Sequence, residues 1–210
     1  MADRRPVPRV SCGRKPPVAW RSDLSEVLIT PTQIARRVAA LANEVQQDLG
    51  KQELVVVALL NGTVLFLADL IRHLSTPLRL DFIGVSSYGS SKTPGELTFT
   101  KELRLDVRGR QVLLIDDILD TGRTLAEVRR RLLKLGPASL RLCVFLNKPA
   151  RQRSRIEADY VGFHIPDRFV VGYGMDYAER YRNLPFVGVL KTAAAPSPSL
   201  HPRGRARRTR

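Results

Sequence analysis

Apolar positions along this chain follow two rhythms in alternation. Ile34, Val38, Leu41, Val45 and Leu49 return every three or four residues, the spacing of one helical face. Thr30-Pro31-Thr32-Gln33 precedes them and supplies an N-cap, a proline for the first helical position and the return partner of a capping box. Gly50 is the expected stop. Leu54 to Leu60 is an uninterrupted apolar run, the pattern of a strand buried on both faces of a parallel sheet. Asn61-Gly62-Thr63 reads as a loop, Val64 to Leu74 as a second helix, and Leu78 to Ser86 as a strand. Ser87 to Glu96 is small, polar and punctuated by Gly and Pro, as expected of a mobile flap, with a strand on its far side over Leu97 to Leu105. Val112 to Ile115 forms the next strand, and a helix over Thr124 to Leu135 closes at Gly136-Pro137. Leu140 to Leu146 is another strand. Shorter extended pieces stand at Glu26–Ile29, Tyr160–His164, Phe169–Val171 and Phe186–Leu190. Strands alternating with helices predict an α/β fold around a mostly parallel sheet.

The length of 210 residues suits one domain with a sizeable core. A net charge of +15 resembles a nucleic-acid signal until it is located. Residues 1–22 hold six Lys/Arg against one acid, and residues 191–210 hold six against none. The segment between them is therefore only weakly basic. Both ends are Pro-rich and lack apolar periodicity, so the expected organisation is a domain over residues 23–190 between disordered basic tails at 1–22 and 191–210. Such tails bind RNA or anionic surfaces through charge alone, or simply solubilise the chain. The longest purely apolar run is far too short for a membrane span, and no secretory signal pattern is present. Cys12 and Cys143 make no disulfide framework, so a reducing cytoplasm is the expected location.

The densest chemistry lies in Val112-Leu113-Leu114-Ile115-Asp116-Asp117-Ile118-Leu119-Asp120-Thr121-Gly122-Arg123-Thr124. A buried strand delivers two adjacent carboxylates, and a short loop then reaches Thr-Gly at a helix start. Helix N-termini take phosphate on backbone N–H groups, while carboxylates accept sugar hydroxyls or face a cation. The segment thus predicts a site for a phosphorylated ribose. Ligands of open α/β sheets bind beyond the carboxyl ends of the strands. Asn61-Gly62, Ser87-Tyr88, Asp116 to Thr124 and Lys148 all follow predicted strands and are expected to converge there. Taken singly, each has a plainer reading: an Asp before Thr-Gly serves as an N-cap, a lysine snorkels, and a Phe beside valines is core.

The chain resembles the hypoxanthine-guanine phosphoribosyltransferases, type I phosphoribosyltransferases of purine salvage. The resemblance is carried by Ile115-Asp116-Asp117-Ile118-Leu119-Asp120-Thr121-Gly122, by Asp81-Phe82-Ile83-Gly84-Val85-Ser86-Ser87-Tyr88-Gly89 and by Asn147-Lys148-Pro149. The run Tyr160 to Tyr177 and Arg180-Tyr181-Arg182-Asn183-Leu184-Pro185 complete it. It implies a type I fold with a small hood and a flap, a 5-phosphoribosyl 1-pyrophosphate (PRPP) donor, hypoxanthine or guanine as acceptor, IMP or GMP as product, and Mg²⁺ as cofactor. A homodimer or homotetramer is also implied.

The resemblance implies roles residue by residue. Asp120 is the general base near purine N7. Asp116 and Asp117 hold the ribose hydroxyls, directly or through Mg²⁺, with Asp176 as a further metal-side acid. Thr121, Gly122, Arg123 and Thr124 cradle the 5′-phosphate. Asn61 and Gly62 form the pyrophosphate loop, and Arg182 is a pyrophosphate contact. Lys148 donates to purine O6, Phe169 stacks on the base and the Val170 backbone meets the ring edge. Ser87 and Tyr88 belong to the flap. Three positions depart from the family pattern: Asn61 stands where many members carry Lys, Asp116 where Glu is frequent, and Asn147 where Asp is frequent. The competing expectation is a regulator that keeps the PRPP fold and binds RNA or DNA through the basic tails.

Overall fold

The computed structural model describes residues 6–10, 13–50, 52–86 and 97–191. The flap residues Ser87 and Tyr88, Cys12 and the chain beyond Lys191 lie outside them. Two sheets form the framework. The larger has six strands, β2 (Leu54–Leu60), β3 (Leu78–Ser86), β4 (Thr98–Lys101), β5 (Gln111–Leu119), β6 (Ser139–Asn147) and β7 (Tyr160–His164). Their spatial order is β4-β3-β2-β5-β6-β7. β3, β2, β5, β6 and β7 run parallel, and β4 is antiparallel to β3 at one edge.

Period-2 alternation explains the continuous apolar runs. Val56 and Ala58 of β2 and Leu113 and Ile115 of β5 face α1 (Pro31–Leu49) and α2 (Val64–Arg72), whose Ile34, Val38, Leu41, Phe66 and Leu70 fill that layer. Val55 and Val57 of β2, Val112 and Leu114 of β5 and Val144 of β6 face the opposite way, against Leu125, Val128 and Leu132 of α3 (Arg123–Lys134). Both faces are covered, so polar alternation is absent from the central strands. The start of α1 is as predicted: Thr30 and Gln33 form the full capping box with Pro31 at the first helical position.

Most of the shorter extended pieces do not join this sheet. β1 (Leu24–Ile29), β9 (Val187–Leu190) and β8 (Val170–Val171) form a separate antiparallel sheet in the order β1-β9-β8. It matches the small hood and packs onto the main core through Tyr173, whose ring lies 4.9 Å from that of Phe145.

Four expectations need correction. β5 continues through Asp116 and Asp117 to Leu119, so the acids sit on the strand and the loop shrinks to three residues. α3 accordingly begins one residue early, at Arg123. The strand expected over 97–105 stops at Lys101, because the N–H groups of Arg104 and Leu105 turn aside to the Asp81 carboxylate at 2.6 and 3.0 Å. Finally, the described part of the 1–22 tail is hydrogen-bonded to both sheets. Val10 N–H donates to the His164 carbonyl at 3.0 Å, and Arg14 pairs with Val27. An edge strand presents unpaired backbone groups, and β7 and β1 are such edges.

Among the described residues no helix is long and apolar enough to cross a membrane. Cys143 is a buried free thiol, and loss of water pushes its pKa up, away from any nucleophilic role.

Candidate active site at the switch between β2 and β5

α2 carries the chain from β2 over one face of the sheet, and α3 leaves β5 over the other. The loops after these adjacent parallel strands therefore part company, leaving a crevice at their carboxyl ends. Asn61-Gly62 enters it from β2, and Asp120-Thr121-Gly122 from β5.

Gly62 is needed because there is no room for a side chain: a Cβ would stand 1.8 Å from Asp117 Oδ2. On its other side the Gly62 carbonyl is packed by Gly174, where a Cβ would lie 2.0 Å from it. Asp117, the β2 loop and the hood thus meet at one point. Asp116 and Asp117 are partly buried side by side. Loss of water, then the neighbouring charge, holds the Asp116 carboxyl well above the ordinary carboxylate range, with the Thr63 hydroxyl opposing. Burial also raises Asp117, against hydrogen bonding and the positive charge of Arg182. A carboxylate pair in this state attracts a proton, a donor hydroxyl or a cation.

Gly122 takes the left-handed conformation, φ 79°, and a Cβ there would strike Ser154 Oγ at 2.1 Å. The loop is clamped from outside: the Thr121 carbonyl accepts from the N–H groups of Arg153 and Ser154 at 3.1 and 3.3 Å. Gly122 is the N-cap of α3, and no side chain caps that end among the described residues; its first turn contains no acid. Arg123 and Thr124 stand in that turn. An uncapped helix start next to a left-handed glycine is a ready anion cradle. Asp120, which in the plainer reading would cap the helix, does not.

Asp120 faces the β6 side instead. Arg151 Nε lies 3.0 Å from its Oδ1. The guanidinium is not aimed along a hydrogen bond, and Oδ1 is shut off from solvent without an acceptor role among the described residues. Lys148 is only 4% exposed. Burial lowers its pKa; Arg151 adds to this, while Asp120 and Asp167 oppose it. A buried ammonium beside a carboxylate does not fit the snorkelling reading. Asn147, also buried, accepts from Gln152 Nε2 at 2.8 Å.

Phe169 is 49% exposed, and its ring meets Tyr177 edge-on at 5.7 Å. Exposure of that extent contrasts with the core reading. Val170 is buried in β8. As β8 is an edge strand, alternate backbone groups of it point away from the ladder. Arg182 is held by the Gly174 carbonyl at 2.9 Å and by Asp176 Oδ1 at 2.9 Å, and Asp176 Oδ2 accepts from the Glu179 N–H at 2.9 Å. Around them, Tyr173, Ala178, Glu179 and Tyr181 adopt φ of 49–74°, a left-handed conformation costing such residues on the order of 1 kcal/mol each, which concentrates at functional sites. The three acids expected at a metal do not gather: among the described residues no three His, Cys, Asp or Glu side chains form a group able to cage an ion.

Sequence reasoning missed Arg151, Thr63 and the Arg153-Ser154 clamp. Arg151 lies in an Arg-rich stretch where nothing distinguishes one arginine from the next. Thr63 reads only as loop, yet it is buried with its hydroxyl donating to the Leu59 carbonyl.

A doubly covered parallel sheet, an acid pair at its switch point and an anion cradle opposite a buried lysine define a class of nucleotide-handling enzyme. The phosphoribosyl transferase domain matches residues 25–178, and the chain belongs to that family. Over 174 residues it is 42% identical to the hypoxanthine-guanine phosphoribosyltransferase of Bacillus subtilis, spanning 82% of this chain and 97% of that relative. It is 45% identical over 167 residues to the hypoxanthine phosphoribosyltransferase of Salmonella typhimurium, spanning 78% and 93%. A crystal structure of a hypoxanthine phosphoribosyltransferase from Staphylococcus aureus superposes with a TM-score of 0.80 at 41% identity, covering 85% of this chain and 98% of that one. Relatives of this kind put it in the purine branch.

Proposed function

We propose that this chain transfers the 5-phosphoribosyl group of PRPP to hypoxanthine or guanine, giving IMP or GMP and pyrophosphate. The observation that carries the reading is a juxtaposition. Asp120 has one buried carboxylate oxygen that accepts no hydrogen bond among the described residues, and it stands near the buried Lys148 ammonium. A carboxylate acceptor and an ammonium donor set close together suit a purine that offers an N–H at N7 and an acceptor at O6. Phe169 offers its face to the ring.

The reaction forms the bond from the purine nitrogen to ribose C1′ and breaks the C1′–O bond to pyrophosphate, through a transition state with positive charge on the ribose. Asp120 takes the purine proton at N7 and places negative charge near the developing cation. Asp116 and Asp117 accept the ribose hydroxyls. Thr121 to Thr124 bind the 5′-phosphate with backbone N–H groups and the α3 dipole. Arg182 contacts the departing pyrophosphate, and Asn61 and Gly62 offer it backbone donors in place of a lysine charge.

The hard oxygen donors and mutual repulsion of Asp116 and Asp117 fit Mg²⁺, which binds through one or two carboxylates and completes its shell with water and substrate oxygens. When bound it would neutralise charge on the pyrophosphate. Asp176 is a weaker donor here, since Arg182 and the Glu179 N–H already occupy its oxygens. A homodimer or homotetramer in the cytoplasm completes the reading.

The relatives named above are all enzymes and give the regulator alternative no support. Product formation from PRPP with hypoxanthine, guanine, xanthine and adenine, in Mg²⁺, tests the proposal. Turnover of hypoxanthine or guanine is expected; turnover of none of the four refutes it. Size-exclusion with light scattering reads the oligomeric state.

A further inference from the structure

Residues 6–10 and 13–22 precede the matched domain, which begins at residue 25, yet they bind two sheets at once. On the main sheet, Val10 N–H donates to the His164 carbonyl at 3.0 Å and His164 N–H donates to the Pro8 carbonyl at 2.9 Å. On the small sheet, Arg14 and Val27 exchange bonds of 2.8 and 2.7 Å. Between the two anchors, Gly13 N–H donates to Glu26 Oε2 at 2.7 Å. A Cβ on Gly13 would stand 2.2 Å from the Val27 carbonyl oxygen, so only glycine permits this approach. The other carboxylate oxygen of Glu26 is ion-paired with Arg168, the residue before Phe169.

The arm therefore holds both ends of one loop. β7 ends at His164, and residues 165–168 lead from it to Phe169. The first anchor grips His164, and Glu26, steadied by Gly13, grips Arg168. We propose that this N-terminal arm is a working part of the purine side of the active site, setting where Phe169 stands. Glu26 and Arg168 are positioning residues that act through Phe169 without touching substrate. The inference rests on the reading of Phe169 as the stacking partner of the base. A ring fixed before binding loses less freedom on binding, so the arm raises affinity for the purine and leaves PRPP binding and the chemical step alone.

Steady-state kinetics with hypoxanthine and guanine would compare the full chain with a variant lacking residues 1–10 and with Gly13→Ala, Glu26→Gln, Arg168→Ala, Arg168→Lys and Phe169→Ala. Thermal melting is followed in each. The truncation, Gly13→Ala, Glu26→Gln and Arg168→Ala are expected to raise KM for the base by about tenfold, as small misplacements of binding groups do. KM for PRPP and kcat should stay within about twofold. Arg168→Lys keeps the pairing with Glu26 and should return KM for the base close to the unmodified value. The proposal is overturned if the arm variants melt earlier but keep the normal KM for the base, or if kcat and both KM values move together. Phe169→Ala separates the two layers. An unchanged KM for the base in that variant removes the stacking reading and the arm proposal with it. A raised one beside normal arm variants removes the arm proposal alone.

Discussion

Replacing Gly62 with alanine would put one methyl group where the Asp117 carboxylate now stands. The built Cβ lies 1.8 Å from Oδ2 and 2.7 Å from Cγ, and non-bonded Cβ contacts under 3.0 Å essentially do not occur. The carboxylate oxygen must therefore retreat by roughly 1.2 Å, or the loop must move away by as much. The loop has little freedom, because Gly174 already packs on the Gly62 carbonyl. The accommodation falls on Asp117, which rotates off the position from which it would meet the ribose hydroxyls. Misplacing a substrate-positioning group by about 1 Å costs on the order of 10²-fold in rate, equivalent to roughly 2.7 kcal/mol of transition-state binding. We expect Gly62→Ala to lower kcat/KM for PRPP by about that factor, with less than about twofold effect on KM for the base. Added to Asp117→Ala, it should cost little more, since both act through one carboxylate. Initial rates at varied PRPP, with circular dichroism to confirm folding, provide the assay. A folded Gly62→Ala enzyme with kcat/KM for PRPP within about threefold of normal would refute the reasoning, as would full additivity with Asp117→Ala.

Asp120→Asn keeps the shape of the side chain and removes the proton acceptor; kcat should fall by roughly 10²–10⁴-fold with KM for PRPP nearly unchanged, read by single-turnover kinetics. Burial lowers the Lys148 pKa from the ordinary 10.5, and only its protonated form carries the charge that the proposed contact with O6 requires. In kcat/KM for the base, an alkaline limb should therefore set in below 10.5, and Lys148→Arg should abolish it because guanidinium does not titrate there. Asp81 supplies a stability test. Burial alone would raise its pKa, but Lys101 at 2.7 Å and the N–H groups of Arg104, Leu105 and Phe82 hold it well below the ordinary 3.8. Folding thus favours the charged form, so its contribution is complete above pH 3.8 and drains away as pH falls below it. Denaturation midpoints should show Asp81→Asn about 2 kcal/mol less stable at about pH 7, with the gap narrowing below about pH 4; an equal gap at neutral pH and at about pH 3 would contradict this.

The elements are legible along the chain because their causes are local. The Thr30–Gln33 capping box lies within four residues, and the apolar run of β2 records burial on both faces wherever β2 finally sits. Asp116 to Thr124 reads as a ribose-phosphate site for the same reason, since strand, acids and helix start are contiguous. Its boundaries are less legible: nothing in the spacing of Asp116 and Asp117 says that β5 keeps its pairing with β6 as far as Leu119 and Asn147.

Packing governs the relations between residues far apart in the chain. That Asp117 fills the space over Gly62, that Arg151 stands against Asp120, and that Lys148 is buried all follow from which strands are neighbours. The resemblance implies a metal-side role for Asp176, but packing joins it to Arg182 and leaves it little to offer an ion. The composition of the basic N-terminal stretch, without apolar periodicity, predicts disorder. A segment paired only through backbone groups needs no such periodicity, and only the exposed edges of β7 and β1 hold residues 8–10 and 13–14 as an arm. Local pattern was enough to specify the helices, the strands and the type of chemistry. Which side chains share a space was settled by the fold, because backbone pairing and burial depend on partners that no local pattern records.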